Sequence, residues 1–503
     1  MQQYNDKLIY GKNTTKNIVC IEPKDGDAEI FYEKSGIVAS EFIANRYWLL
    51  ASKPLDKGQW HKLDGQLHYK FGKQYVDKDI FDQESQVYRR QGAYRVYNDK
   101  EALMIKDGYT YYKGMTPDDV SILAFDIESS NLQQNSDSRV YLIANTFRSQ
   151  GKIIRKIFCY DDYPSEAAFF TDWCAWVKEI NPSIIVGHNI VIYDLPYLNF
   201  CASRAGVGLT LGRDSSNLYF DEYISKLRKD GSQSYSYNKA HIYGREIIDT
   251  FFLSIKSDIS RKYESYGLKQ IIKQEGLEIK NRQFYNASTI KDNINDPIER
   301  KKIIDYAIMD GDDALALFDL MIGPLFYLTQ SIPKPLQTMV ESASGGQLNS
   351  LLVRNYLQDG YSIPLGDQGN RFEGAISDSW PGIYHNTWKV DVASLYPSII
   401  LQYDIFPKRK DPRGYIRYIL EYFRSQRLEN KRLAKDSGKR QYKDLSEVGK
   451  VIANSIYGFY NAPRLNFNYP EGAEQVTRRG REILNTAIKW ACDKDYDDIK
   501  KAV

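Results

Sequence analysis

The stretch "ILAFDIESS", residues 122–130, decides the fold of the central part of this chain. An apolar run leads into Asp126 and Glu128, and its composition predicts a buried β-strand. Because side chains alternate along a strand, these two carboxylates lie on one face. A solvated strand end is the more common explanation of an isolated pair, so its function depends on the segments that follow.

Two later segments supply further polar side chains. "GHNIVIYDLPYL" follows another apolar run and contains Asn189 and Asp194. "YAIMDGDDAL" contains Tyr306 and Asp310, whose spacing of four places both on one face of a predicted helix. Three separated segments therefore supply four carboxylates and a tyrosine.

This set of side chains indicates metal-dependent cleavage of phosphodiester bonds. Carboxylates are hard oxygen ligands of divalent ions, and a pair of such ions activates a water and stabilises the departing oxygen. Tyr306 could orient that water. We expect the neighbouring Asp312 and Asp313 to be solvated, because neither has a tyrosine at the same spacing.

A second acidic position follows later in the chain. "KVDVASLYPSII", residues 389–400, predicts a strand that runs directly into a helix, with Pro397 in the first helical turn. Asp391 lies at the junction, where a metal ion would need a second carboxylate. A buried strand and helix without chemistry is the structural alternative.

Basic side chains lie between and within the helices that follow. Arg427 and Lys431 share one helix face, as do Lys450 and Asn454. Taken singly, these residues fit a solvated face. Residues 408–443, however, contain 13 Lys and Arg against 4 Asp and Glu, and converging cations of this kind suit a triphosphate or a nucleic-acid backbone.

These motifs together resemble the family B DNA polymerases. The segments around Asp126, Asp194 and Asp310 stand in the order of that family's three 3′–5′ exonuclease motifs. "DVASLYPSII" is similar to polymerase motif A, "KVIANSIYG" to motif B and "SQRLENK" to the basic helix of the fingers. The resemblance implies an enzyme, a DNA-directed DNA polymerase with proofreading 3′–5′ exonuclease activity.

The resemblance also implies roles for individual residues. Tyr306 and Lys450 would be catalytic, Lys450 by protonating the leaving pyrophosphate, and Tyr396 would exclude a 2′-hydroxyl. The expected ligands of Mg²⁺, with Mn²⁺ as the alternative ion, are Asp126, Glu128, Asp194, Asp310, Asp391 and the carbonyl of Val392. The residues expected to bind dNTP are Ser394, Leu395, Tyr396, Arg427, Lys431, Lys450 and Asn454. Those expected to contact primer-template DNA or a single-stranded 3′ end are Asn189, Tyr457 and Gly458.

The family's third polymerase motif, an Asp-Thr-Asp core on a β-hairpin, does not follow motif B in this sequence. We therefore expect an N-terminal subunit or fragment whose second polypeptide carries that motif and the thumb, and through which a sliding clamp could be recruited. A natural split and a truncated chain both remain open. The alternative functions are a stand-alone 3′–5′ exonuclease with a DNA-binding polymerase remnant and a non-catalytic structural subunit.

The expected fold is an α/β multidomain protein with a mainly β N-terminal module, an RNase H-like exonuclease domain and an incomplete palm with helical fingers. The predicted boundaries are 1–115 for the N-terminal module, 116–330 for the exonuclease domain, 331–410 for the partial palm with motif A, 411–457 for the fingers with motif B, and 458–503 for the palm continuation.

Composition is consistent with this organisation. The 503 residues carry a formal net charge of only +3, so any nucleic-acid surface must arise from local clustering. The five cysteines form no C-x-x-C pair, which argues against a zinc site or a disulfide framework. With no run of membrane-spanning length, we expect no membrane and a cytoplasmic protein of a bacterial, archaeal or virus-infected cell.

Overall fold

The computed structural model describes residues 6–494 and 498, except for 132, 230–232, 259, 279–281, 283–284, 287–288, 378 and 380. Among these described residues, no helix combines the length and apolar character needed to cross a membrane.

The N-terminal part contains two small antiparallel sheets and three helices. One sheet has the order β1-β2-β3 and the other β4-β6-β5. Its elements are α1 (Asp6–Tyr10), β1 (Ile18–Pro23), β2 (Asp27–Lys34), β3 (Ile37–Ala44), β4 (Tyr47–Ala51), β5 (His61–Lys62), β6 (Phe71–Tyr75), α2 (Lys78–Arg90) and α3 (Asp99–Asp107). Buried Glu33 on β2 joins this part to the central sheet, because its carboxylate accepts hydrogen bonds from the Ser121 backbone N–H and the Ser183 hydroxyl.

A mixed five-stranded sheet forms the centre of the molecule, in the order β13-β10-β7-β8-β9. β7 pairs in parallel with β10 and antiparallel with β8, so its apolar run is buried within the sheet. The strands are β7 (Ile122–Ser129), β8 (Val140–Ser149), β9 (Lys152–Cys159), β10 (Ile184–Gly187) and β13 (Glu246–Asp249).

Within the described residues, six α-helices and a separate hairpin surround this sheet. The hairpin pairs β11 (Tyr219–Arg228) with β12 (Ser234–His241). The helices are α4 (Glu166–Ile180), α5 (Asp194–Arg204), α6 (Thr250–Ser257), α7 (Leu268–Gln274), α8 (Ile290–Asn293) and α9 (Pro297–Thr329). The long helix α9 packs against β7 and β8, which brings the carboxylates of two distant segments to one place.

The regular elements described in the last third of the chain are helices. Helices α13 and α14 form a hairpin whose turn includes Gly438 at φ +67°, a left-handed conformation that favours glycine. The elements are α10 (Leu336–Glu341), α11 (Ser344–Gln358), α12 (Leu395–Gln402), α13 (Tyr415–Ser437), α14 (Arg440–Asn461) and α15 (Pro470–Cys492).

The strand predicted to lead into Asp391 is wrong. The described residues between Pro364 and Ser394 form neither helix nor strand, and Trp388 is 93% exposed. A β-strand needs a hydrogen-bonded neighbour, and no described strand pairs with this segment. The helix that follows does form from Leu395, with Pro397 in its first turn.

Candidate metal centre

Asp126 and Glu128 on β7 meet Asp310 on α9. One carboxylate oxygen of each residue lies within 4.8 Å of the corresponding oxygens of the other two. Oxygens that bind a common divalent ion at 2.0–2.6 Å lie no more than about 5 Å apart. The spacing and the all-oxygen donor set therefore fit a divalent metal ion held by these three side chains.

Asp194, the first residue of α5, is buried beside this group. Burial raises the pKa of Asp126 well above its usual range, and the charges of Asp194, Glu128 and Asp310 raise it further. Burial also raises the pKa of Glu128 to about 8 and the pKa of Asp194 to about 7. Acidic groups crowded in this way favour a bound cation or retained protons.

Asp249, at the end of β13, holds the turn that leads to Asp194. Its carboxylate accepts hydrogen bonds from the backbone N–H groups of Asn189 at 2.8 Å, Val191 at 3.0 Å and Phe251 at 2.9 Å. The sequence analysis missed Asp249. An acidic residue directly after the apolar run "EII" is the signal that could have identified it.

The same turn depends on Gly187 at the end of β10. A Cβ atom at this position would lie 2.9 Å from the carbonyl oxygen of Phe125 and 2.1 Å from a side-chain carbon of Ile190. Only glycine therefore lets the turn approach β7 next to Asp126. Asn189 itself adopts φ +68°.

Tyr306 lies one helical turn before Asp310 on α9 and is buried. Lys269 on α7 donates a hydrogen bond to its hydroxyl, and the Lys269 amine lies 3.3 Å from the Asp310 carboxylate. Burial, followed by the charge of Asp310, raises the pKa of Tyr306, so this hydroxyl keeps its proton. Lys269 was not predicted, and the sequence contains no local pattern that distinguishes it from Lys273, the other lysine of α7.

A second cation contacts the same carboxylate. Arg282 lies 2.6 Å from the Asp310 carboxylate and also pairs with Asp313. The prediction that Asp312 and Asp313 are solvated is wrong, since Asp313 is buried and Asp312 accepts a hydrogen bond from Thr146 at 2.8 Å. The reason is that this part of α9 packs against β8 and that Arg282 pairs with Asp313.

The residues of α12–α14 predicted to bind dNTP or DNA divide into two groups. The first group meets where α12, α13 and α14 converge: Arg427 donates to the Ser394 hydroxyl at 2.5 Å, and the rings of Tyr396 and Tyr457 lie 4.5 Å apart. Lys450 instead pairs with Glu447 at 3.0 Å. Leu395 is partly buried at the start of α12, whereas the exposed members of the predicted set are Lys431, Asn454 and Gly458.

Asp391 and Val392 lie in the exposed segment before α12. Among the described residues, the one cluster of three or more metal-ligating side chains is that of Asp126, Glu128 and Asp310, and Asp391 does not belong to it. The structure therefore brings together three of the predicted exonuclease ligands and leaves the predicted polymerase ligand apart.

Comparisons with known proteins find DNA polymerases and an exonuclease domain of family B. Residues 71–271 match the family model described as DNA polymerase family B, exonuclease domain. The chain is 26% identical to a DNA polymerase of Archaeoglobus fulgidus, over 65% of this chain and 42% of the relative. It is 26% identical to DNA polymerase 2 of Aeropyrum pernix, over 74% of this chain and 48% of the relative. It is 28% identical to DNA polymerase II of Escherichia coli, over 65% of this chain and 42% of the relative.

A solved structure supports the fold. The family B DNA polymerase of Pyrobaculum calidifontis superposes with a TM-score of 0.73 and 19% identity, covering 94% of this chain and 71% of the other. The matches span less than half the length of each of the three curated relatives named above. The predicted resemblance to family B DNA polymerases and the α/β multidomain fold with a β-rich N-terminal region are confirmed, and the predicted split stays a prediction. The chain is therefore similar to the family B DNA polymerases, and its residues 71–271 match the exonuclease domain of that family.

Proposed function

We propose that this chain is the exonuclease-bearing part of a family B DNA polymerase and removes nucleotides from the 3′ ends of single-stranded DNA. The observation that carries the proposal is the convergence of the Asp126, Glu128 and Asp310 carboxylates within 4.8 Å. Buried Asp194 adds a fourth acidic group. The match of residues 71–271 to the exonuclease domain supports the same function.

The four carboxylates would hold Mg²⁺, or alternatively Mn²⁺. A metal bound there supplies an activated water and stabilises charge on the departing oxygen. Tyr306 keeps its proton, and its hydroxyl oxygen accepts from Lys269, so the hydroxyl hydrogen can point towards the Asp310 carboxylate or a water bound there. Lys269 adds positive charge beside the position of the scissile phosphate.

The polymerase function is proposed for an assembly of this chain with a second polypeptide. In that assembly the α12–α14 junction would bind dNTP, and primer-template DNA would contact Tyr457 and Gly458. Asp391 needs further carboxylates to hold the metal ions of synthesis. Apolar residues near it are highly exposed, with Ile383 at 91% and Trp388 at 93%, and an added strand would cover such a segment.

The assembly is tested by primer extension after co-expression with a polypeptide that carries an Asp-Thr-Asp motif and a thumb. We expect synthesis by the complex, loss of synthesis in Asp391→Asn and unchanged exonuclease activity in that variant. Synthesis by the Asp391→Asn complex at the wild-type rate would overturn the role of Asp391. A sliding clamp would bind through the second polypeptide.

The exonuclease function is tested with the purified chain, Mg²⁺ and a single-stranded oligonucleotide labelled at its 5′ end. We expect a ladder of products shortened from the 3′ end, and no products from the Asp126→Ala/Glu128→Ala variant. Asp312→Asn is the matched control, because this carboxylate lies on the same helix but bonds to Thr146 and Arg155 outside the cluster. Equal digestion by the double variant and the wild type would refute the site.

A further inference from the structure

A basic cavity lies outside the candidate metal centre. Its volume is about 420 Å³, and it is enclosed by the end of β11, the end of α6 and the junction of α10 and α11. Five basic residues line it, namely Lys226, Arg228, Lys229, Lys256 and Arg261. Buried Leu227, Ile255 and Val340 provide an apolar wall.

The two acidic residues of the cavity do not neutralise these cations. Asp258 accepts hydrogen bonds from the backbone N–H groups of Lys262 at 2.8 Å and Tyr263 at 3.1 Å. Glu341 pairs with Lys239 at 2.7 Å. Both carboxylates are therefore engaged by neighbouring parts of the protein.

Among the described residues, three of the five basic residues have no carboxylate partner that would compete with a ligand. Lys226, Arg228 and Arg261 are exposed, and within the described part of the chain none of them forms an ion pair with a carboxylate. The Lys256 amine donates to the backbone carbonyl of Ser342, and burial lowers its pKa to about 8. Like charges gathered around one cavity repel one another, so an anion placed between them is favoured.

We propose that this cavity binds the phosphate group of a nucleotide, with the apolar wall contacting the sugar or base. The nucleotide is either a free nucleoside monophosphate or one unit of a DNA strand. In the second case the proposal rests on the proposed function, because contacts connect the cavity to the turn that leads to Asp194. Lys229 lies 4.7 Å from the ring of Tyr266, whose carbonyl contacts His188 at 2.9 Å, next to Asn189.

The test measures binding of three ligands in EDTA, so that no cleavage occurs. The ligands are inorganic phosphate, dTMP and a fluorescein-labelled eight-residue oligo(dT), measured by calorimetry or fluorescence anisotropy. The variant is Lys226→Gln/Arg228→Gln, which removes two exposed cations from the cavity. The matched control is Lys62→Gln/Lys152→Gln, which removes two exposed cations from β5 and β9. Thermal unfolding confirms that both variants fold.

We expect the cavity variant to bind its ligand at least about 10-fold more weakly than the control. If the variant binds all three ligands more weakly, the ligand of the cavity is a free nucleotide. If it binds only the oligonucleotide more weakly, the ligand is one unit of a DNA strand. If the ligand is a DNA strand, the plot of log affinity against log salt becomes shallower in the variant, and the magnitude of its slope decreases by about 1.4. Each phosphate that is no longer neutralised contributes about 0.7 to this decrease. Equal affinities of variant and control for every ligand would overturn the proposal.

This outcome is separable from that of the proposed function. The Asp126→Ala/Glu128→Ala variant should lose cleavage in Mg²⁺ but retain cavity binding in EDTA. Cleavage that survives in this variant would contradict the metal centre without affecting the cavity.

Discussion

Replacing Asp249 with alanine should lower the exonuclease rate without removing any metal ligand. The carboxylate of Asp249 accepts hydrogen bonds from three backbone N–H groups, and its side chain is buried. Each buried donor left without a partner costs about 1–3 kcal/mol. Burial raises the pKa of Asp249 to about 6, so the charged carboxylate itself carries a cost that partly offsets these bonds. We therefore expect a net decrease of about 3 kcal/mol in the free energy of unfolding.

The effect on activity should exceed the effect on folding. Without Asp249, the turn at Asn189 and Val191 is no longer held, and Asp194 at the start of α5 loses its fixed position. We expect the exonuclease rate to fall at least about 10-fold under conditions where the variant remains folded, because misplacing a catalytic group by about 1 Å can cost about 100-fold. Urea unfolding gives the stability, and digestion of a 5′-labelled oligonucleotide gives the rate.

Asp411 provides a matched control in the helical part. It is also buried and accepts three hydrogen bonds, from the Tyr356 hydroxyl at 2.6 Å and from the backbone N–H groups of Tyr415 at 3.0 Å and Ile416 at 2.7 Å. Asp411→Ala should cost similar stability and leave the exonuclease rate of the folded protein unchanged. Equal rates for the folded Asp249→Ala and Asp411→Ala variants would refute the positioning role of Asp249.

Three further predictions follow from the described contacts. Burial raises the pKa of Glu246 to about 7 from its ordinary value of about 4.5, so this acid destabilises the fold progressively as pH rises through that window. The gain in unfolding free energy from Glu246→Gln should therefore grow between pH 4.5 and 7, by up to about 3 kcal/mol, and parallel wild-type and variant curves would contradict this. Lys269→Met should slow exonuclease digestion at least about 10-fold, as expected for removal of a donor at the reacting group, whereas exposed Lys273→Met on the same helix should not. In the assembled polymerase, Tyr396→Ala should increase ribonucleotide incorporation, and unchanged discrimination would contradict its place under the sugar.

Local patterns predicted the parts of the centre that lie on single elements. The period of two placed Asp126 and Glu128 on one face of β7, and the spacing of four placed Tyr306 and Asp310 on one face of α9. Helix α12 also contains Pro397 in its first turn, as its composition predicts. Each of these features depends only on residues that are close together in the sequence, so a local sequence pattern is enough to predict it.

The remaining features depend on contacts between distant residues. Lys269 lies 41 residues before Asp310 in the sequence, and Arg282 lies 28 residues before it, yet both contact its carboxylate. Helix and strand periodicities cannot predict contacts between residues so far apart. The burial of Asp313 follows from the same packing. The strand expected at Asp391 fails for a related reason, because β-structure requires a pairing partner that the composition of one segment cannot supply.

The central claim is that Asp126, Glu128 and Asp310 hold a divalent metal ion. The direct measurement is anomalous diffraction from crystals of the chain grown with Mn²⁺, using Asp126→Ala/Glu128→Ala crystals as the control. We predict an anomalous peak within about 2.6 Å of oxygens from all three carboxylates, as divalent-ion coordination requires, and no peak in the control. A map in which the wild-type cluster shows no peak at saturating Mn²⁺ would contradict the account.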